Sequence, residues 1–327
     1  MKQRSLTTIL AAALLLGGAA SNHSAWADDT SIYPPWSHGH NNPSIGKGVD
    51  VTVPDVDNLP DLHGNMSHPD LVMYVGGNYF FAMAPLVEAF EKKYPKIRGK
   101  LFYETLPPGL LAKQIAEKGR LTIGNASMTI PGDLYAAGLG QVRKLVAKRL
   151  LVGPPVAYAT NDLTIMVPKG NPAGIKGLSD LGKPGVRLVM PNPAWEGVSR
   201  QIKGSLKKAG GEKLSRTVYE DKVKSGETTL TRIHHRQSPM FLMSKKADAG
   251  VTWRSEAIFQ EQVGHAIENV AIPDNQNVRA IYAASMIRGA RHKLWAKRWL
   301  IFLKSPEAQN VFRHFGFKAV TKADLKK

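Results

Sequence analysis

From Leu71 onward the chain alternates short apolar runs with stretches of helical periodicity, which limits it to an α/β fold. The first unit shows the pattern. Leu71-Val72-Met73-Tyr74-Val75 is an apolar run of strand length that stops at Gly76-Gly77-Asn78. Met83, Leu86, Val87 and Phe90 then recur at i, i+3, i+4 and i+7, the spacing of one buried helix face. Pro85 removes one N–H and clashes with the preceding turn, so this helix either begins near Phe81 or is kinked at Pro85. Both outcomes leave N–H groups after Asn78 without helical partners. The corner therefore has two readings: a plain turn in which glycine supplies φ freedom, or a cradle whose N–H groups meet an anion. A nucleotide polyphosphate is excluded. There is no G-x-x-x-x-G-K-[ST] or G-x-G-x-x-G here, and no Lys or Arg between Lys47 and Lys92.

Further units follow. Residues 100–105 read as a strand, and Pro107-Pro108-Gly109 starts a helix over 110–118 that stops at Gly119. Residues 121–123 and 126–130 are short β candidates, and 134–150 is read as mainly helical. Strands are expected at 163–167, 186–190, 218–219, 247–253 and 278–286. Helices are expected at 197–209, from 228, at 255–262, 294–303 and 305–315, with a short turn at 177–181 capped by Ser179. Ser305-Pro306-Glu307 supplies an N-cap, a proline at N1 and an acid in the first turn.

The first residues read as a secretory leader. Lys2 and Arg4 precede an apolar stretch over 6–20, and Ala25-Trp26-Ala27 forms an A-x-A cleavage site. The mature chain is expected to begin at Asp28. The full chain contains no cysteine, so it has no lipid-anchor cysteine and no disulfides. No later stretch approaches ~20 unbroken apolar residues. The expectation is a free periplasmic monomer with no stable membrane anchor. Residues 28–70, broken by Pro34, Pro35, Pro43, Pro54, Pro60 and Pro69, read as an extended arm. The formal charge of +18 falls to +16 when Lys2 and Arg4 leave with the leader, which favours anionic ligands or surfaces. The basic residues are scattered and no nucleic-acid module is present, so nucleic acid is not expected as a partner.

Four segments together resemble the type II periplasmic solute-binding proteins of ABC importers, in the molybdate/tungstate/sulfate-binding branch. They are "FAMAPLVEAFEKKYP", "GLSDLGKPGVRLVMPNP", "ADAGVTWRSEA" and "SPEAQNVFRHFGF", in the family's order along residues 71–317. The resemblance implies two α/β lobes, a ligand cleft between them and two crossing hinge strands, for which 163–167 and 278–286 are in the right places. It divides the chain into lobe one (71–159), lobe two (160–272) and a return to lobe one (273–327). It implies a binding protein that is not an enzyme, needs no cofactor, and carries a small oxyanion to an ABC permease.

On this resemblance the anion site draws on Gly77, Asn78, Tyr79 and Thr105 from lobe one, and on Asn192, His235, Arg236 and Trp253 from lobe two. Arg236 lies in "RIHHRQSP", where its planar fork suits an oxyanion. His234 or His235 would bind an anion more tightly when protonated, so affinity would rise as pH falls from about 8 toward 6. Trp253 offers an indole N–H. Glu196 either points away, pairs with a cation, or signals a different ligand, since a bare carboxylate repels a dianion. The alternatives are a sensor or accessory protein that docks a partner through its arm, or a metal-binding protein using His38, His40, His63 and His68.

Overall fold

The structure, a computed structural model, describes residues 61–326 except 124, 125, 195 and 232–234. The first group of elements is β1 (Asp61–Gly64), β2 (Leu71–Gly76), α1 (Phe80–Lys93), β3 (Leu101–Leu106), α2 (Pro108–Ala116), β4 (Arg120–Ile123), β5 (Ala126–Thr129), β6 (Leu134–Gly138), α3 (Leu139–Ala147) and β7 (Leu151–Asn161). The second is β8 (Leu163–Pro168), β9 (Leu188–Met190), α4 (Val198–Arg216), β10 (Thr228–Leu230), α5 (Ser238–Met243), β11 (Ala249–Trp253), α6 (Arg254–Gln262) and β12 (Ile267–Ala271). The chain closes with β13 (Ala280–Ile287), α7 (Lys293–Phe302) and α8 (Pro306–His314).

Two main sheets result, ordered β1-β3-β2-β6-β13-β7 and β10-β9-β11-β8-β12. In the first, β2 runs parallel to β3 and β6, and β13 lies antiparallel to β6 and β7. Every residue of β2 is buried, because helices cover both faces of the sheet. Leu71, Met73 and Val75 enter one core with Phe81, Leu86 and Phe90 of α1, whereas Val72 and Tyr74 enter the other with Leu111 and Ile115 of α2.

The chain crosses between the sheets twice. β7 runs into β8 through Asp162, and residues 272–279 lead from β12 back to β13. Side chains tie the crossings together. Asn277 accepts the N–H of Leu163 at 2.9 Å and donates to its carbonyl at 2.8 Å. Asp162 accepts from Arg279 at 2.8 Å and Lys318 at 2.6 Å. Burial works against its ionisation, yet these two cations hold its carboxyl below its usual range.

Several local expectations are corrected. Residues 134–138 form β6, not helix, because their place between β2 and β13 in the sheet overrides an ambiguous Leu-Tyr-Ala-Ala run. β7 was not foreseen, since Pro154 and Pro155 argue against a strand; it is an edge strand, where proline is tolerated. β10 replaces the expected helix at 228, and Val218-Tyr219 sits in a helical turn, not a strand. α4 runs past Ala209 to Arg216 across non-helical Gly210 and Gly211. Asp180, not Ser179, caps the turn before β9, accepting the N–H of Lys176 at 2.7 Å. The end of the expected arm is β1, paired antiparallel with β3 and burying Leu62.

Candidate ligand-binding cleft

At the corner, β2 ends at Gly76, residues Gly77–Tyr79 make one 3-10 turn, and α1 begins at Phe80 with Pro85 in its second turn. Neither N-cap residue, Gly76 for the turn or Tyr79 for α1, caps its helix with its own side chain. The φ freedom of glycine is not what the corner uses, for neither Gly76 nor Gly77 has positive φ. What Gly77 provides is room for a close approach: a Cβ there would lie 2.8 Å from Nη2 of Arg236, the far end of a flexible side chain.

Arg236 arrives from the second lobe. It sits in the 3-10 turn His235–Gln237, donates from Nη2 to the Gly77 carbonyl, and holds its guanidinium carbon 4.1 Å from the centre of the Phe80 ring. Only 8% of it is exposed. A cation is thus held at the glycine corner between a carbonyl and an aromatic face.

His235 fixes this turn. Its Nδ1 lies 2.7 Å from Glu196 Oε2 and its Nε2 lies 2.9 Å from Glu256 Oε1, while its backbone N–H donates to Glu196 at 2.6 Å. Glu196 Oε1 also accepts from Thr231 and from the Asn192 N–H, and Glu256 Oε2 accepts from Thr252. Burial pushes the imidazole pKa down, but Glu256 and Glu196 outweigh it and raise it to about 10. Held between two carboxylates, His235 keeps its charge through the neutral range and would supply no titration between pH 8 and 6 for the expected rise in affinity. Of the three outcomes open to Glu196, the structure shows pairing with a cation.

Helix α6 joins the two sides. Its N-cap is Trp253, with no side-chain cap, and it packs against the Gly77–Tyr79 turn. Ser255 accepts from Asn161 at 2.8 Å, and Phe259 stacks on Phe81 of α1 with centroids 4.7 Å apart. The Trp253 ring meets Tyr282 edge-on at 6.4 Å, and the hydroxyl of Tyr282 accepts from Asn78. Two helix N-termini that their own N-cap side chains leave uncapped, those of α1 and α6, and one guanidinium thus meet at the lobe boundary. Such groups can stabilise negative charge.

Of the expected site residues, Gly77, Asn78, His235, Arg236 and Trp253 form one contiguous boundary. The other three adjoin it through the backbone. Tyr79 turns into the lobe-one core, its hydroxyl 2.6 Å from that of Tyr158, and burial pushes its phenol pKa up. Thr105 is buried in β3 opposite Val75, one residue before the pair Leu106–Gly76. Asn192 folds onto its own loop, accepting the Ala194 N–H at 3.0 Å. Sequence reading missed Glu256, Tyr282, Asn161 and Phe80. Only Glu256 left a signal, as a second carboxylate close to a loop that already needed a cation for Glu196. Of the arm's histidines, His38 and His40 lie outside the described residues, and His63 stacks on Tyr103 at 4.6 Å. Among the described residues no cluster of three or more His, Asp or Glu side chains is arranged to hold a metal.

The sequence model of the bacterial extracellular solute-binding proteins matches residues 71–318. The chain belongs to this family. It is therefore a binding protein and not an enzyme, and its place is outside the cytoplasm. This solute-binding protein is 28% identical to a sulfate-binding protein of Synechococcus elongatus over 50% of its own length and 49% of that protein. It is 25% identical to the molybdate-binding protein ModA of Mycobacterium bovis over 57% of its own length and 65% of that protein. Both matches thus span less than two thirds of the relative. Among solved structures, the sulfate-binding protein SubI of Mycobacterium tuberculosis superposes with a TM-score of 0.64 at 16% identity, covering 79% of this chain and 90% of that one. This likeness shows the fold: two lobes of mixed α/β structure. No described helix is long and apolar enough to cross a membrane.

Proposed function

We propose that this solute-binding protein captures a small oxyanion of the sulfate or molybdate kind in the periplasm and presents it to the permease of an ABC importer. One observation carries the reading. Arg236 of the second lobe reaches the glycine corner of the first, beside the N-termini of α1 and α6, neither capped by the side chain of its own N-cap residue. In this reading Gly77, Asn78 and Trp253 border the ligand, Arg236 supplies its counter-charge, and His235 holds Arg236 in place between Glu196 and Glu256. The ligand would displace the Gly77 carbonyl from the guanidinium, and closure of the lobes would exclude water. The sulfate- and molybdate-binding relatives support the ligand class.

The test is calorimetric titration of the protein with sulfate, molybdate and tungstate, alongside Arg236→Ala. Removing a charged hydrogen bond from a buried site lowers affinity by about 2–5 kcal/mol. Binding of any of these anions with unchanged affinity in the variant would place Arg236 outside the site. Failure of all three to bind the wild type would overturn the oxyanion reading.

A further inference from the structure

Helix α7 packs Ala296, Trp299 and Phe302 into the core and leaves the opposite stripe, Leu294, Lys297 and Ile301, exposed, continued by Lys304. Leu294 is 60% exposed and Ile301 69%, more than any other large hydrophobic residue among those described. They lie two helical turns apart, about 10 Å along one face. The charged side chains of this stretch of the chain are all cations: Arg291, Lys293, Lys297 and Lys304 are exposed, and no acidic residue occurs between Asp274 and Glu307. Glu307 itself is tied to Lys93 at 2.8 Å. At the rim, Arg298 stacks 4.6 Å over Trp295 and 5.5 Å over Tyr94, a polar head on an apolar body.

We propose that this stripe of α7 is a contact surface for acidic phospholipid. The charge pattern calls for an anionic partner, and the two protruding aliphatic side chains call for one with an apolar layer beneath its charge. Leu294 and Ile301 stand out from a single helix. A bilayer interface takes them in without a matching pocket, whereas a protein partner has to supply one. The position also leaves the cleft free. His292, one residue before α7, binds Asp133, which in turn accepts the N–H of Val72 at the start of β2, the end opposite the glycine corner.

The test is co-sedimentation of the processed chain beginning at Asp28 with vesicles of phosphatidylcholine alone or mixed with phosphatidylglycerol, at low and high salt. Binding is expected only to the phosphatidylglycerol vesicles, and it weakens with salt. Leu294→Ser combined with Ile301→Ser lowers it at least roughly fivefold. Lys297→Glu lowers it by more than about fivefold, and by more than Lys213→Glu, a charge-matched change at an exposed site on α4. These sites are exposed, so the variants keep the wild-type thermal melt. No binding to phosphatidylglycerol overturns the proposal. So does equal loss from Lys213→Glu with none from the apolar pair, which would leave only net charge. Capture confined to vesicles that carry the permease would assign the stripe to a protein partner instead.

Discussion

Glu104 offers a quantitative test of the lobe-one core. It lies on β3 beside Tyr74 of β2, fully buried, and neither carboxyl oxygen has a hydrogen-bond partner of good geometry. Burial pushes its pKa up from 4.5 to about 8, and the neighbouring Gln114 amide offsets only a small part. In the unfolded chain the group ionises near its ordinary value. Between those two pKa values the folded state therefore holds a proton that the unfolded state has lost, so stability falls as pH rises through the window. Each pH unit within the window removes about 1.4 kcal/mol, which makes ~3 kcal/mol by pH 7 and ~4 kcal/mol by pH 8, where the folded group is itself half ionised. Glu104→Gln keeps the shape and cannot ionise. It should match the wild type near pH 4.5 and exceed it by ~3 kcal/mol at pH 7. Urea unfolding followed by tryptophan fluorescence at a series of pH values between 4.5 and 8 measures the difference, with the m-value checked for constancy. A wild-type-minus-variant difference that does not change with pH would refute the reasoning.

Other predictions concern the cleft and the sheet edge. His235→Gln leaves Glu196 and Glu256 buried without their cation, and should destabilise the protein by about 3–5 kcal/mol in chemical denaturation. The folded pKa of His235 is raised from 6.5 to about 10, so its contribution is complete below pH 6.5 and is lost as pH rises through 10. Anion affinity should accordingly be flat between about pH 6 and 8 on its account. A steep rise in acid, measured by titration calorimetry, would contradict this. Gly77→Ala places a methyl 2.8 Å from Arg236 Nη2, the far end of a flexible side chain. Its thermal melt should stay close to wild type, while affinity for a bound oxyanion drops about tenfold or more as the guanidinium is displaced. Deleting residues 28–69 removes β1 and the burial of Leu62; a loss of ~2 kcal/mol is expected, and an unchanged urea midpoint would show that β1 adds nothing.

What the sequence determined by itself is the scaffold. The apolar run 71–75, the helical period from Met83 to Phe90 and the cap Ser305-Pro306-Glu307 encode local structure within a few residues, so each was legible without knowledge of its neighbours. The resemblance of four segments to the solute-binding family implied a two-lobed binding protein, and on that resemblance attention fell on Gly77, His235 and Arg236. Tertiary structure alone decided what those residues do. Gly76 and Gly77 look like turn glycines, but what Gly77 provides is room for Arg236, distant in sequence, to lie against it. His235 looks like a neutral pH sensor, but two carboxylates distant from it in sequence, Glu196 from the loop after β9 and Glu256 from the first turn of α6, hold it in its charged form. Tyr79 follows the glycine corner directly yet points into the core to meet Tyr158. β7 carries two prolines that argue against a strand, and only its place at the edge of the sheet, unknown until the strands are ordered, permits it. Backbone propensity and periodicity act over a few residues and survive in a linear reading. Charge pairing, close approach and edge position depend on contacts between residues far apart in sequence, and those exist only once the chain has folded.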